Sequence, residues 1–172
     1  MTIPYARSFP EAELFISLQP CEVCGEAALE VQGFALGDDF RAVHTTCGNC
    51  TNQRDYDFRF PVEPASGWFG GDQPSELVDP GQWLMLADLA LEELPPDATQ
   101  AVDEDRSQAE FACAATEEAM KFLRPDEDRV SPYAFWTQSG YEMYQSAEWR
   151  FERDWLESHL RTCREAVARL AG

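Results

Sequence analysis

Two Cys-x-x-Cys pairs near the start of the sequence restrict the possible folds more than any other feature. The first pair is Cys21 and Cys24, the second is Cys47 and Cys50, and 22 residues separate the pairs. Two residues between thiolates let both sulfurs of a tight turn face one ion, and Gly25 suits the close backbone approach of such a turn. The sequence therefore predicts that these four cysteines bind one metal ion.

The arrangement of the four cysteines resembles a zinc ribbon over roughly residues 18–60. The separation of the pairs is slightly longer than the ~15–20 residues usual for this pattern, and a longer hairpin would absorb the difference. The resemblance implies one structural Zn²⁺ per chain, because four protein thiolates fill a tetrahedral site and leave no position for water. Free buried thiols or a redox pair are the alternative interpretations.

The segment around the pairs has the pattern of strands. Residues 28–36 and 40–45 are rich in strand-compatible residues, and Gly37-Asp38-Asp39 between them favours a turn. Residues 55–60 alternate between polar and aromatic side chains, as in a strand with one buried face, and Pro61 ends the pattern. We expect a three-stranded sheet fixed by the metal.

The rest of the chain has helical patterns. Asp79-Pro80 gives a helix start before residues 82–94, and apolar residues at helical spacing predict a second helix over residues 99–123. Ser131-Pro132 favours a short helix or turn. One apolar stripe from Trp149 to Leu170 predicts a single long helix over residues 141–170.

These patterns together predict an α+β fold class: a small N-terminal zinc-ribbon-like antiparallel sheet followed by three or four α-helices. The predicted regions are a ribbon over residues 1–62 and an acidic helical region over residues 63–172. We expect the two regions to pack together as one unit.

The charge of the chain limits its partners. It carries 32 acidic and 13 basic residues, a formal net charge of −19, and residues 61–130 alone hold 17 acidic and four basic residues. A polyanion would be repelled unless the few cations were gathered on one face, so we expect no direct nucleic acid binding. The predicted helix over residues 99–123 has an acidic outer face that includes Asp103-Glu104-Asp105. This face is either solvated or a docking surface for a basic protein partner.

The sequence predicts no catalytic residue and no other cofactor. It holds two histidines and lacks the nucleophile, metalloprotease and phosphate-loop motifs. Pro20-Cys21-x-x-Cys24 matches half of the zinc deaminase signature, but that signature needs a preceding His-x-Glu and the first histidine is His44. We interpret His44 as a strand residue beside the metal site that could donate to a thiolate, and we expect ordinary packing or surface roles for Asp88 and His159.

The leading hypothesis is a non-catalytic interaction module, most concretely an acidic inhibitor or immunity-type protein that binds a basic partner. A zinc-ribbon adaptor in transcription or translation is the alternative, and it requires Arg41, Arg54 and Arg59 to cluster on the ribbon. An enzyme that uses carboxylates is a further alternative. With no apolar run near the ~20 residues that span a bilayer, and no visible secretory signal, we expect no membrane association and a cytoplasmic location. The sequence leaves the oligomeric state open.

Overall fold

The computed structural model describes residues 3–37, 40–62 and 67–170. The chain folds into two compact units, Met1–Leu77 and Val78–Gly172. A small antiparallel sheet lies in the first unit and helices dominate the second, so the predicted α+β class is confirmed. The predicted boundary at residue 62 and the predicted packing of the two regions stay predictions. Asp38 and Asp39 of the predicted turn lie outside the described residues.

The first unit contains the predicted three-stranded sheet. Its strands are β1 (Leu29–Leu36), β2 (Arg41–Cys47) and β3 (Gln53–Phe58), hydrogen-bonded in the order β1-β2-β3. Both pairs are antiparallel, and the β1–β2 register shifts between Val31 and Gly33. Side chains alternate between faces along each strand. One face therefore carries buried side chains such as Val43 and Phe58, and the other carries exposed polar ones.

A short helix that the sequence analysis did not assign covers the buried face. It is α1 (Phe9–Ser17), and it begins where the Ser8 hydroxyl accepts a hydrogen bond from the Glu11 N–H. The ring of Phe15 packs edge-on against Tyr56 and Phe58, with centroids 6.3 and 5.9 Å away. The helix thus closes the core of the sheet.

The described residues of the second unit contain four α-helices. They are α2 (Pro80–Glu92), α3 (Asp103–Met120), α4 (Gln138–Ser146) and α5 (Arg153–Leu170). Asp79 caps α2 as predicted, because its carboxylate accepts from the Gln82 N–H at 3.0 Å. The core is formed by six buried side chains from these helices and their connections: Leu84, Val130, Phe135, Tyr144, Phe151 and Leu156.

The predicted single helix over residues 141–170 is wrong. It is interrupted between α4 and α5, where Ala147 leaves the helical conformation and Glu148–Phe151 form a 3₁₀ turn. The physical reason is the burial of Phe151, whose ring packs at 4.8 Å from Phe135 and 5.7 Å from Tyr144. Trp149, placed on the helical stripe by the sequence, is exposed on the turn.

Helices α2 and α4 come into backbone contact through two glycines. A Cβ on Gly81 would lie 2.5 Å from the Cα of Gly140. The Asp79 carboxylate that caps α2 also accepts from the N–H and the hydroxyl of Thr137, at 2.9 and 2.6 Å. Thr137 in turn caps α4 by accepting from the Gly140 N–H at 3.0 Å. One buried carboxylate therefore fixes the start of both helices.

A mostly buried histidine side chain lies beside an ion pair in the second unit. Arg150 donates to both oxygens of Asp88, at 2.7 and 2.8 Å, and the ring of His159 stacks on Trp155. The His159 side chain is 10% exposed, and its Nε2 is 3.8 Å from Asp88. Burial lowers the pKa of His159; Asp88 opposes this effect and Arg150 adds to it. The folded unit therefore favours the neutral ring.

This arrangement predicts a pH-dependent stability. A lowered folded-state pKa means that the unfolded chain takes up the proton first, so stability is present above pH ~6.5 and is lost as the pH falls below it. As the pH falls from 7.5 to 5.5, we expect the free energy of unfolding to decrease more steeply in the wild type than in His159→Gln. The two slopes should differ by up to ~1.4 kcal/mol per pH unit. Urea denaturation at several pH values measures this. An equal slope in His159→Gln and the wild type would contradict the account.

Within the described part of the chain, no helix is both long and apolar enough to cross a bilayer.

Candidate metal centre

The two cysteine pairs form turns of nearly identical backbone geometry. In the first, the N–H of Cys21 donates to the Glu26 carbonyl and the Cys21 carbonyl accepts from the Gly25 N–H, both at 2.8 Å. In the second, the N–H of Cys47 donates to the Asn52 carbonyl and the Cys47 carbonyl accepts from Thr51, again at 2.8 Å. Each turn thus presents two thiols from one compact loop.

Each turn requires a left-handed residue directly after its second cysteine. Gly25 has φ of 78°, and the equivalent Thr51 has φ of 61°. Among the described residues, Thr51 is the one non-glycine residue with a positive φ. A left-handed conformation costs a residue with a Cβ ~1–2 kcal/mol, and a β-branched side chain adopts it rarely. The second turn is therefore strained, whereas glycine relieves the first.

Replacing Thr51 with glycine should stabilise the first unit. We expect Thr51→Gly to gain ~0.5–1 kcal/mol, because the relief of strain exceeds the added entropy of the unfolded chain. Thermal unfolding should show a midpoint higher by roughly 3–6 °C. Thr51→Ala keeps a Cβ at the strained position and should gain much less. A lower midpoint for Thr51→Gly would contradict the assigned strain.

The four sulfurs lie at distances that suit one tetrahedral ion. All four Sγ atoms are within 4.8 Å of one another, and the Cys21–Cys50 and Cys24–Cys47 pairs are both 3.6 Å apart. A tetrahedral site with metal–sulfur bonds of ~2.3 Å has sulfurs ~3.8 Å apart. The distances are also too long for disulfides, whose sulfurs lie ~2.05 Å apart. The geometry and chemistry of the donors therefore fit a metal ion.

Separate elements bring the two turns together. Cys21 follows α1, Cys47 is the last residue of β2, and Cys50 precedes β3. The N–H of Gly48 donates to the Ala28 carbonyl at 2.8 Å, which ties the second turn to the segment that leads into β1. Cys21 and Cys47 are buried, and Cys24 and Cys50 are partly exposed. The cluster thus anchors one end of the sheet.

The backbone around the cluster favours ionised sulfur. The N–H groups of Cys24 and Val23 lower the pKa of Cys21 to about 6, and Asn49 and the Glu26 N–H lower the pKa of Cys24. At Cys50 the Asn52 N–H lowers the pKa, but desolvation and the neighbouring thiols outweigh it and raise the pKa to about 12. The last proton of the cluster is therefore hard to remove without a cation to balance the accumulated charge.

His44 and the two other cysteines of the chain do not belong to the cluster. His44 does not donate to a thiolate, since it pairs across the strands with Asp55 at 2.8 Å. Cys163 is fully buried, 3.6 Å from the Thr116 hydroxyl, and burial raises its pKa. Desolvation and nearby Cys163 raise the pKa of Cys113 to about 12. Neither of these two thiols has the low pKa of a reactive cysteine.

The three arginines of the ribbon do not form one cationic surface. Arg54 pairs with Glu22 at 2.6 Å and lies over the ring of Tyr56. Arg41 lies near the other end of the same face, over the ring of Phe60. Strand alternation puts Arg59 on the opposite side, where it donates to the Ile3 carbonyl at 3.1 Å.

Comparisons with protein-family models, curated proteins and solved structures find no match to this chain.

Proposed function

We propose that the protein is a non-catalytic protein-interaction module with one structural Zn²⁺, and that its helical unit binds a basic protein. The four-sulfur cluster is the observation that carries the metal part of the proposal. Soft thiolates in tetrahedral geometry favour zinc or iron among biological metals, and paired Cys-x-x-Cys turns are typical of structural zinc sites. The two matching turns on a three-stranded sheet support the resemblance to a zinc ribbon.

A structural role for the metal follows from the number of its ligands. Cys21, Cys24, Cys47 and Cys50 would supply all four positions of a tetrahedral ion. Catalytic zinc sites keep one position open for water or substrate, whereas sites with four protein ligands stabilise folds. The ion would therefore hold the sheet together and take no part in a reaction.

The site for the basic partner is the acidic end of the helical unit, which we define as Glu92, Glu93, Asp97, Asp103 and Glu104. All five side chains are exposed. The end of α2 and the start of α3 lie close together, since Gln108 donates to Glu93 at 2.6 Å. Within the described residues, none of the five forms an ion pair. The acidic residues farther along α3 differ, because Glu110 and Glu117 are paired with arginines.

Two of these carboxylates are unfavourable for the helix that carries them. Glu92 and Glu93 lie at the C-terminal end of α2, whose last turn contains no basic residue. A negative charge there interacts unfavourably with the helix dipole, at a cost of ~0.3–1 kcal/mol each. Glu93 accepts from Gln108, but no such contact among the described residues explains Glu92, which supports a role for Glu92 in binding.

A basic protein is the partner that suits this surface. Residues 78–172 hold 20 acidic and nine basic residues, and exposed charge of one sign accelerates association with an oppositely charged protein. An acidic inhibitor of the immunity type, which occupies the basic surface of a nuclease-like toxin, is the most concrete version of this function.

The experiment compares two triple variants as baits in the native host. Glu92→Gln with Asp103→Asn and Glu104→Gln removes three of the five charges of the acidic end. Glu142→Gln with Glu157→Gln and Glu165→Gln removes the same charge from exposed positions on α4 and α5. We expect a basic partner to be recovered by the wild type and the control, to be lost from the first variant, and to dissociate at high salt. Equal recovery by both variants would contradict the proposed surface.

The two alternatives receive less support. A zinc-ribbon adaptor that contacts nucleic acid needs a cationic track, and the three ribbon arginines are separated. A carboxylate enzyme would place its acids in a cavity, and one of ~640 Å³ is lined by Glu127, Asp128, Arg129, Glu152, Arg153 and Asp154. The two arginines of this cavity form structural contacts. Arg129 pairs with Glu148 and Glu152, and Arg153 donates to the carbonyls of Arg124 and Glu127.

A further inference from the structure

A groove with several exposed apolar side chains lies on the first unit, near the end of the sheet opposite the cysteine cluster. One concavity of ~360 Å³ is lined by Phe9, Phe60 and Trp68, and a second of ~410 Å³ by Leu36 and Phe40. The two share four residues: Arg41, Phe60, Pro61 and Val62. Together they form one surface, which we call the Arg41 groove. Volumes of 300–1,000 Å³ are typical of binding sites.

Several large apolar side chains in and beside the groove are exposed to solvent. Val62 is fully exposed, Leu36 is 74% exposed, and Trp68 is 50% exposed. Phe34, beside the groove on β1, is 54% exposed although its ring contacts Phe9. Single exposed apolar residues are ordinary, but a contiguous group around a concavity is typical of an interaction site.

The centre of the groove holds one cation. The guanidinium of Arg41 lies over the ring of Phe60, with its Cζ 5.2 Å from the ring centroid. Within residues 3–37, 40–62 and 67–170, Arg41 has no carboxylate partner. Arg7 also borders the groove, but it is buried and paired with Glu11 at 2.6 Å. A guanidinium over an aromatic ring can still donate N–H hydrogen bonds to a carboxylate.

From this charge and these walls we infer that the Arg41 groove binds a peptide segment of a partner protein that carries an aromatic or large aliphatic side chain next to a carboxylate. The carboxylate accepts from Arg41, and the apolar side chain lies between Phe60 and Trp68. A basic segment would meet Arg41 and be repelled. The groove therefore binds an acidic segment, whereas the acidic end of the helical unit binds a basic protein. This inference does not depend on the proposed function.

Selection from a displayed library of random dodecapeptides against the full-length wild-type protein tests the inference. We expect the enriched sequences to combine Asp, Glu or a free C-terminus with Phe, Trp, Leu or Ile. Synthesis of the best peptide with free and amidated C-termini shows which carboxylate binds. Because the whole protein is acidic, its affinity for this peptide should stay constant or increase from 0.15 to 0.5 M salt, as long-range repulsion is screened.

Variants in the groove and on the opposite side of the sheet locate the binding site. Arg41→Gln should weaken the selected peptide about ten-fold, the usual size for a charge-assisted hydrogen bond, and Val62→Ser should weaken it several-fold. Arg59→Gln removes a cation from the opposite side and should have no effect. Failure to enrich any peptide, enrichment of basic peptides, or equal binding by Arg41→Gln and the wild type would overturn the inference. Sedimentation showing a dimer that Val62→Ser dissociates would also overturn it, since a second copy would then occupy the groove.

Discussion

Replacing Cys47 with serine is expected to release the metal and unfold the first unit. A serine hydroxyl is not ionised at neutral pH, so three thiolates would remain at a site that needs four. Cys47 is also fully buried, and its backbone forms both hydrogen bonds of the second turn. The change therefore removes a ligand from the point where the turn joins β2.

The expected size of the effect follows from two free energies. Binding of a structural zinc contributes ~10–16 kcal/mol in small metal-dependent folds, whereas whole domains are stable by only ~5–15 kcal/mol. A unit of 77 residues buries a small core, so it has little stability in reserve. Loss of the metal should leave its sheet unfolded at room temperature.

Amide resonances of β1, β2 and β3 in NMR spectra provide the measurement. In Cys47→Ser we expect their dispersion to collapse and zinc to be absent from the purified protein. Chelation of the wild type should produce the same spectrum, and added zinc should reverse it. Cys113→Ser, outside the cluster, should retain both metal and sheet. An intact sheet in Cys47→Ser without bound metal would show that the cluster is dispensable for folding.

The second large effect is expected at Gly140, where α4 meets α2. A Cβ at this position would collide with the Asp79 carboxylate, which caps α2 and accepts from Thr137, the cap of α4. To make room, α4 must move away and break the hydrogen bonds between Asp79 and Thr137. We expect Gly140→Ala to cost ~3 kcal/mol or more, combining overpacking of ~1–3 kcal/mol with the loss of helix caps at ~1 kcal/mol each.

Urea denaturation followed by circular dichroism at 222 nm measures this cost. Gln145→Ala, an exposed position on the same helix, is the matched control and should change stability by less than ~0.5 kcal/mol. Alanine has the higher helix propensity, so propensity alone would make Gly140→Ala stabilising. A stability equal to or above that of the wild type would show that the two helices do not meet closely at this point.

Patterns confined to a few neighbouring residues predicted much of this structure. The spacing of the cysteines correctly indicated a cluster of four, because two residues between thiols dictate a turn that places both on one side. Alternation over residues 55–60 indicated a strand, and Asp79-Pro80 indicated the start of α2. In each case a local steric or hydrogen-bonding rule decides the conformation.

Other features depend on partners that are distant in the sequence. The turn between α4 and α5 exists because Phe151 fits among Phe135 and Tyr144, and no local pattern in the helical stripe reveals this. Helix α1 is short, and its apolar side chains pack on a sheet face formed by residues that are distant in the sequence. Its signal was the Ser8-Phe9-Pro10 start, which resembles the start of α2 but precedes a weaker apolar pattern.

The left-handed conformation of Thr51 shows a similar limit. Glycine at position 25 indicates a left-handed turn, because glycine adopts positive φ readily. Threonine at position 51 gives no such indication, because a β-branched residue adopts positive φ rarely. The equivalence of the two turns becomes visible when their hydrogen bonds are compared. Closure of the four-cysteine cluster by both turns gives a reason for the second turn to tolerate this strain.

The metal content of the wild-type protein tests the central claim most directly. The protein should be purified under reducing conditions without added metal, and its metals should be quantified by mass spectrometry against protein concentration. We predict one zinc per chain, with four thiols protected from alkylation until a chelator is added and two thiols, Cys113 and Cys163, unaffected by the chelator. Full-length reduced protein that is folded and contains no stoichiometric metal would contradict the account.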